Sequence, residues 1–375
     1  MSARALAESA VRAGYRCATA DYFGDLDLVR LGPNVALGPE RREAYTAEGL
    51  VRAAESVEAE AVAYGASLEN HPGLVARLAA GRELWGNGPE TLTAVRDPAR
   101  WVPVVRDAGV AVPETLLPET AGSADAGRRW LCKPRAGGGG IGVARWRPGV
   151  ALSPGAMAQE EIAGVPGSAI FLADGRRATL WALTRQLVGV RALGVSGYRY
   201  CGSLMPFTED TDCVRDVEAQ VGAAVLALTE AFALRGACGL DFVVDDGRVF
   251  VLETNPRHTA SMELLERACG VSIFEAHVRA CRGDLPAAAP AWPGGAFGKA
   301  ILFARRRTRL DDTRTWLRAG VRDVPRPGTV LARGAPICTI FARGRSVSAC
   351  ASALERRAEA WRARIELPRR RRHAS

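Results

Sequence analysis

The segment Trp130-Leu131-Cys132-Lys133-Pro134-Arg135-Ala136, followed by Gly137 to Gly140, Ile141 and Gly142, decides what kind of fold this chain has. Four consecutive glycines let backbone N–H groups converge on an anion with no side chain in the way. Lys133, at the end of an apolar strand, sets a compact ammonium beside them. A Walker loop places its lysine directly after the glycines and follows it with Ser or Thr. Here the lysine comes first, so that reading fails. Gly137, Gly139 and Gly142 formally fit G-x-G-x-x-G, but the dinucleotide fingerprint needs a helix after the loop. Val143 to Trp146 reads instead as a short strand, with Pro148 behind it. What remains is strand, lysine, glycine hairpin, strand: a lid over a polyphosphate. The bland alternative is a disordered glycine loop beside a surface lysine.

Lys133 is conspicuous because lysine is scarce. The 375 residues carry 50 basic side chains, of which only Lys133 and Lys299 are lysine, against 41 acidic ones, for a net charge of +9. The arginine bias reads as coding composition on a solvated surface, but arginine is a poor substitute where chemistry needs a point charge. The length suggests two or three domains at roughly 100–200 residues each. An apolar fraction of 48% with 24% charged residues describes a globular chain. No run approaches the ~18 apolar residues of a membrane helix, and no signal-peptide pattern is expected at the N-terminus. The nine cysteines are odd in number, widely spaced and free of Cys-x-x-Cys. That excludes a zinc ribbon and argues against a disulfide scaffold, so a reduced, cytoplasmic protein is expected.

A second chemical feature lies downstream. Gly239-Leu240-Asp241-Phe242-Val243-Val244 and Val249-Phe250-Val251-Leu252-Glu253-Thr254-Asn255 flank Asp245-Asp246-Gly247. The spacing predicts a hairpin with a three-residue loop, Val244 opposite Arg248 and Asp241 opposite Val251. Period-two alternation then sets Glu253 and Asn255 on the face of Asp241. Asp241 lies inside an apolar strand, where an unpaired carboxylate is costly. Two carboxylates and an amide oxygen suit Mg²⁺, which completes its shell with phosphate oxygens and water. Arg257 follows, placed to stabilise charge on a transferred phosphoryl group. Taken alone, an exposed acidic edge strand would be the better reading.

The rest of the chain supplies context. Ala3 to Gly14 reads as a helix, Arg16 to Ala20 as a short strand, Ala44 to Ala63 as a second helix, and Ala61 to Gly65 as a strand or turn. This is the alternation of a doubly wound domain. Such a domain normally opens on a strand, so its first strand is expected to be missing through a late gene start. Val214 to Leu234 carries a helical apolar stripe. Leu285 to Gly295 reads as a linker, Lys299 to Phe303 and Val330 to Phe341 as strands, Ser348 to Ile365 as a helix, and Arg369 to Arg372 as a basic tail.

Together these pieces resemble the ATP-grasp superfamily of carboxylate–amine ligases, over nearly the whole chain. Lys133 with Gly137, Gly138, Gly139 and Gly140 resembles the family's phosphate grip. Gln159, Glu160, Glu161 and Ile162 resemble its adenine hinge. Asp241 and the Glu-x-Asn-x-Arg of Glu253, Asn255 and Arg257, about 120 residues past Lys133, resemble its metal and acyl-phosphate centre. The stretches Ser9 to Tyr15 and Asp21 to Asp25 resemble the leading domain of one branch, the predicted ATP-dependent carboligases related to biotin carboxylase. Gly298 to Phe303 and Pro336 to Ala342 fit its final small domain.

The resemblance implies an α/β (α+β ATP-grasp) architecture. A Rossmann-like pre-ATP-grasp domain would span 1–95. An ATP-grasp domain would span 96–285, with its lid around 125–165. A small α+β domain with a basic tail would span 286–375. It implies ATP and Mg²⁺ as cofactors, Lys133 and Arg257 as catalytic residues, and Asp241, Glu253 and Asn255 as metal ligands. It implies a ligase joining a small carboxylate to an amine, with a homodimer compatible. Branch members occur near genes for pterin- or furan-based one-carbon carrier coenzymes.

Departures from the family narrow this. Val165-Pro166 stands where many members carry a ribose-binding Glu, and Ala304 stands where carboxylases place an Arg, with Arg305 one place off. With only two lysines and no Met-Lys-Met, the chain carries no biotin of its own. Carboxylation of bicarbonate is therefore the lesser alternative, beside ATP sensing without turnover. Nucleic-acid binding is disfavoured, because the basic charge is spread along the chain without aromatic interleaving. Arg185 and Arg199 read as surface residues before carboxylate binders. His258 either faces the substrate or caps its loop. Lys299 has no partner visible in the sequence, and a structural role is expected.

Overall fold

The computed structural model describes residues 2–38 and 43–366, so the run Arg369 to Arg372 lies outside the described residues. The chain opens with α1 (Arg4–Arg12), β1 (Thr19–Asp21), β2 (Asn34–Ala36), α2 (Ala47–Glu55), β3 (Ala61–Val62), α3 (Pro72–Leu78), β4 (Glu83–Leu84) and α4 (Pro89–Val95). β1 pairs in parallel with β2, and β3 with β4. The expected alternation is thus present as two small parallel pairs, packed around Leu37, Val51, Val75 and Leu92. The second helix is shorter than expected. It stops at Glu55, where the Ser56 hydroxyl turns back onto the Ala53 carbonyl at 2.7 Å.

After α5 (Pro98–Asp107) comes a four-stranded antiparallel sheet in the order β5 (Thr115–Leu116), β8 (Ala156–Glu160), β6 (Trp130–Pro134) and β7 (Ala144–Trp146). Trp130 and Trp146 face each other across β6 and β7 and meet edge to face at 6.2 Å. They form a small core with Leu116 and Ala158, separate from the main one.

The centre is a seven-stranded sheet. Its order is β13 (Arg248–Asn255), β12 (Arg235–Asp245), β9 (Val165–Asp174), β10 (Ala178–Val188), β11 (Tyr200–Met205), β14 (Ala296–Phe303) and β17 (Pro336–Gly344). α6 (Thr211–Phe232) covers one face. Its stripe Val217, Val221, Val225 and Leu228 packs on Phe171 and Phe242, and each such fully buried side chain contributes about 1.5–3 kcal/mol. α7 (Met262–Cys269) and α8 (Ile273–Cys281) cover part of the other face, over Ile170 and Leu172. α9 (Val347–Glu366) packs Leu354, Ala358 and Trp361 beneath the C-terminal strands. β14 pairs with β11 through Ser203 and Lys299, so the segment after the 285–295 loop extends the central sheet. The single strand expected over 330–341 is broken. β15 (Thr308–Arg309) pairs with a short β16 (Val330–Leu331), and a turn with Gly334 at φ 80° leads into β17.

The hairpin register also differs from expectation. Asp246 at φ 47° and Gly247 at φ 73° form a two-residue turn, with Asp245 opposite Arg248. A bulge between Asp241 and Phe242 then sets Asp241 directly opposite Glu253, rather than opposite Val251.

One buried ion cluster ties the chain's ends to its middle. Arg4 is 1% exposed and grips Glu263 with both terminal nitrogens, Nη2 at 2.9 Å, while Nε and Nη2 reach Asp323 at 3.1 and 2.9 Å. Lys299 Nζ donates to Glu263 at 2.6 Å and to the Ala260 carbonyl at 3.1 Å. Removing the Glu263 charge leaves Arg4 and Lys299 buried without their shared partner. Glu263→Gln is therefore expected to lose about 3–5 kcal/mol of stability, read from urea unfolding of the full chain. A loss below about 1 kcal/mol, the scale of an exposed pair, would contradict this placement.

Candidate active site

A cleft of about 2580 Å³ opens above the uncovered part of the central sheet. Its floor follows from strand register. Glu253 of β13 faces Asp241 of β12, which faces Ser168 of β9; Gln186 of β10 faces Ser203 of β11, which faces Lys299 of β14. Gln186 closes the row by donating to Asp241 Oδ1 at 2.9 Å, and Asn255 donates to Oδ2 at 3.1 Å.

The glycine loop forms the roof. Gly137 to Gly140 line the cleft, and Gly139, Gly140 and Gly142 all have positive φ. Glycine is required at Gly140, because a Cβ there would lie 1.9 Å from the Tyr198 carbonyl oxygen. Tyr200 N–H donates to the Gly139 carbonyl at 3.1 Å, so the loop is seated on the approach to β11.

The expected phosphate and hinge residues divide. Lys133 is not on the cleft wall; its Nζ donates to Gln159 Oε1 at 3.0 Å. Gln159 is 2% exposed and donates onward to Thr115 at 3.2 Å. Glu160 turns to the opposite side of β8, where Arg128 holds it at 3.0 Å. Glu161 accepts from the Tyr198 hydroxyl at 2.7 Å. Ile162 follows the end of β8 and does not line the cleft.

Asp241, Glu253, Asn255 and Arg257 all line the cleft together. Burial, then the charge of Glu253, pushes the Asp241 carboxyl up to about 6. Burial also raises Glu253, but Arg96, Lys133 and Arg257 outweigh it and hold that carboxyl below its ordinary value. These oxygens form a hard donor set that fits Mg²⁺ once phosphate oxygens are added. Among the described residues, no group of three or more His, Cys, Asp or Glu is arranged to hold a metal without such help.

Two partners escaped the sequence. Arg96, between α4 and α5, sits 3.6 Å from Glu253 and donates to the Arg135 and Gly137 carbonyls at 3.3 and 3.2 Å, joining roof to floor. Glu69, 2% exposed, accepts from Arg257 Nε and Nη2 at 3.0 and 2.8 Å. Nothing local marks either one: Arg96 is one arginine among many, and Glu69 lies 188 residues from its partner. Lys299 does have a partner, Glu263, which the sequence did not reveal.

Residues 97–261 match the family model of an ATP-grasp domain, and the chain carries that fold. N5-carboxyaminoimidazole ribonucleotide synthetase from Thermus thermophilus superposes with a TM-score of 0.65 at 20% identity, covering 98% of this chain and 97% of that one. The biotin carboxylase domain of Hydrogenobacter thermophilus 2-oxoglutarate carboxylase, solved with MgADP and bicarbonate, gives 0.68 at 17%, covering 91% and 84%. Rhizobium etli pyruvate carboxylase gives 0.72 at 15%, covering 97% of this chain and 38% of that one. In sequence, an uncharacterized protein of Methanocaldococcus jannaschii is 25% identical over 203 residues, 54% of this chain and 46% of its own length. The chain thus spans about half the length of that curated relative.

Two outcomes follow from the geometry. Gly140→Val unseats the roof, so amide exchange at Tyr200 is expected to quicken by about tenfold or more; unchanged protection would rule out the seat. Asp241 favours its protonated form in the fold, a gain present below its ordinary 3.8 and lost as pH rises through about 6. Asp241→Asn copies that protonated form. Its melting temperature relative to the natural chain is expected to climb from about pH 4 to about pH 7, and a flat difference would contradict the shift.

Proposed function

We propose that the chain is an ATP- and Mg²⁺-dependent ligase that activates a small carboxylate as an acyl phosphate and joins it to an amine, releasing ADP and phosphate. The observation that carries this is the convergence of Asp241, Glu253, Asn255 and Arg257 on one floor beneath the glycine roof, with Arg96 bonded to both. The glycine loop's amides and Lys133 are assigned to the polyphosphate, and Gln159 to Ile162 to the base. Asp241, Glu253 and Asn255 would hold the metal, which when bound neutralises phosphate charge. Arg257, kept in place by Glu69, stabilises the carboxylate oxygen as it takes the γ-phosphoryl group. The amine nitrogen then bonds to the acyl carbon, the acyl–oxygen bond to phosphate breaks, and one amine proton leaves with the phosphate. The seated roof keeps water from the acyl phosphate. No protein nucleophile is involved.

The carboxylase alternative is weaker on the position of Ala304 and Arg305. Ala304 is 2% exposed, and Arg305 turns to the Arg191 carbonyl at 3.2 Å, so neither offers a guanidinium to the cleft. The proposed domain limits stay at 1–95, 96–285 and 286–375, and the proposed setting is the synthesis of a pterin- or furan-type coenzyme. The resemblance of the sequence supports these finer points.

ADP release from MgATP is expected with at least one pair from a broad panel of carboxylates and amines. Lys133→Ala and Asp241→Asn are each expected to lower kcat/KM by about 100-fold or more. Full activity in Lys133→Ala would remove it from the phosphate site. Tight ATP binding with no ADP from any pair would favour a sensing module.

A further inference from the structure

Most cations on the cleft wall are matched by the chain itself. Arg257 is held by Glu69, Lys299 by Glu263 and Arg282 by Glu83, and Arg82 reaches the Val57 carbonyl at 2.7 Å. Arg199 is not. It lines the same cleft and is partly buried, yet among the described residues its guanidinium makes no hydrogen bond and no ion pair. It lies instead over the Phe303 ring, 4.9 Å from the centroid. Arg16 also lacks a partner among the described residues, but it is exposed, so water serves it.

The Arg199 backbone is anchored. Its carbonyl accepts from Gly189 N–H at 2.8 Å, and the next residue, Tyr200, donates to the Gly139 carbonyl at 3.1 Å. The side chain therefore leaves from the seat of the glycine roof and ends over β14. Lys299, Ile301 and Phe303 alternate along β14 and share the floor face, and the first two line the cleft. Between β12, which carries Asp241, and β14 lie four strand steps, about 19 Å at the usual spacing. Phe303 is about 13 Å further along β14 than Lys299. A phosphoryl group held between Asp241 and Glu253 is too distant to touch this guanidinium. The cleft wall here is apolar: Val188 opposite Tyr200, Pro336 opposite Phe303, and Ile301.

These surroundings select the charge of a ligand. A ring against one face holds a guanidinium flat and leaves its N–H edge free. That edge fits two oxygens of a carboxylate or phosphate side by side. A cation is repelled, and a neutral group forgoes the stronger charge-assisted bond. No carboxylate among the described residues answers the charge, so the anion comes with the ligand.

We propose that Arg199 binds a second anionic group, a carboxylate or phosphate, on a substrate that lies along the floor, remote from the carboxylate being activated. This rests on the ligase reading and narrows its substrate class: one of the two molecules joined is an extended acid whose charge follows an apolar stretch.

The test uses the full chain with MgATP and compares compounds with and without the second acid: suberate against octanoate, sebacate against decanoate, and aminocaproate against hexylamine. In the natural chain the acid-bearing member of at least one pair is expected to have a kcat/KM about tenfold higher or more. Arg199→Met keeps an apolar stem on Phe303, and its preference is expected to fall within about twofold, with the KM for ATP unchanged. Arg199→Lys is expected to fall between, because the charge stays while the paired contact is lost. A preference unchanged in Arg199→Met, or turnover without any such preference in the natural chain, overturns the proposal. A second measurement needs neither turnover nor a stable variant. Phenylglyoxal modification of the natural chain with MgADP is followed at each arginine by mass spectrometry of its peptides. Arg199 is expected to react, and suberate or inorganic phosphate to slow it about threefold or more, while Arg185, exposed on β10, is not slowed. Protection by suberate alone assigns a carboxylate site, and protection by phosphate alone a phosphate site. No reaction at Arg199, or equal rates with and without both anions, overturns the contact. A panel that yields no ADP defeats the ligase reading alone, and the protection at Arg199 still decides the anion site.

Discussion

Two carboxylates stand face to face on neighbouring strands, and much of the architecture answers that constraint. Asp241 and Glu253 are directly opposed across β12 and β13, an arrangement that destabilises a sheet unless it is neutralised. The answering groups come from three parts of the chain: Arg96 from the junction of α4 and α5, Lys133 from the roof sheet, and Arg257 from the end of β13. Gln186 and Asn255 add hydrogen bonds to Asp241. Each compensating charge therefore draws a separate piece toward one point. At a separation of 4 Å an ion pair near a protein surface is worth about 4 kcal/mol before desolvation.

Glu263 plays the corresponding part at the far end of the floor. It holds Arg4, Lys299 and Arg267 at once, so α1, α7 and β14 meet at one carboxylate. The two centres share a sheet face, with Ser168, Gln186 and Ser203 between them. The same face changes character along a strand. Ser168 is floor, whereas Ile170 and Leu172, two and four residues on, lie under α7 and α8. Period-two alternation keeps the side chains on one side, and the helices decide where floor becomes core.

What the sequence made legible was local. The glycine loop and the acidic hairpin each lie within about 20 residues, where turn chemistry and alternation suffice. The hairpin reading still chose the wrong loop length, because Asp-Asp-Gly fits both a two-residue and a three-residue turn. The bulge beside Asp241 then restored the facing carboxylates that the assumed register had offset by two residues. Along β8 the side chains alternate, so Gln159 meets Lys133 while Glu160 meets Arg128 on the other side. Arg96, Glu69 and Glu263 were not legible at all. Their importance comes from partners about 40 to 260 residues away, and in a chain so rich in arginine no composition signal separates one pairing from another.

The cations near the two carboxylates are already engaged by the chain itself. Lys133 has three donors and spends one on Gln159. Arg257 spends Nε and one terminal nitrogen on Glu69 and Asn255, which fixes the plane of the guanidinium before a substrate arrives. Arg96 is different. It lies between the Glu253 carboxylate and the carbonyls of Arg135 and Gly137. One guanidinium thus ties the acidic floor to the glycine roof, and the group that offsets the Glu253 charge is the same one that anchors the loop above it.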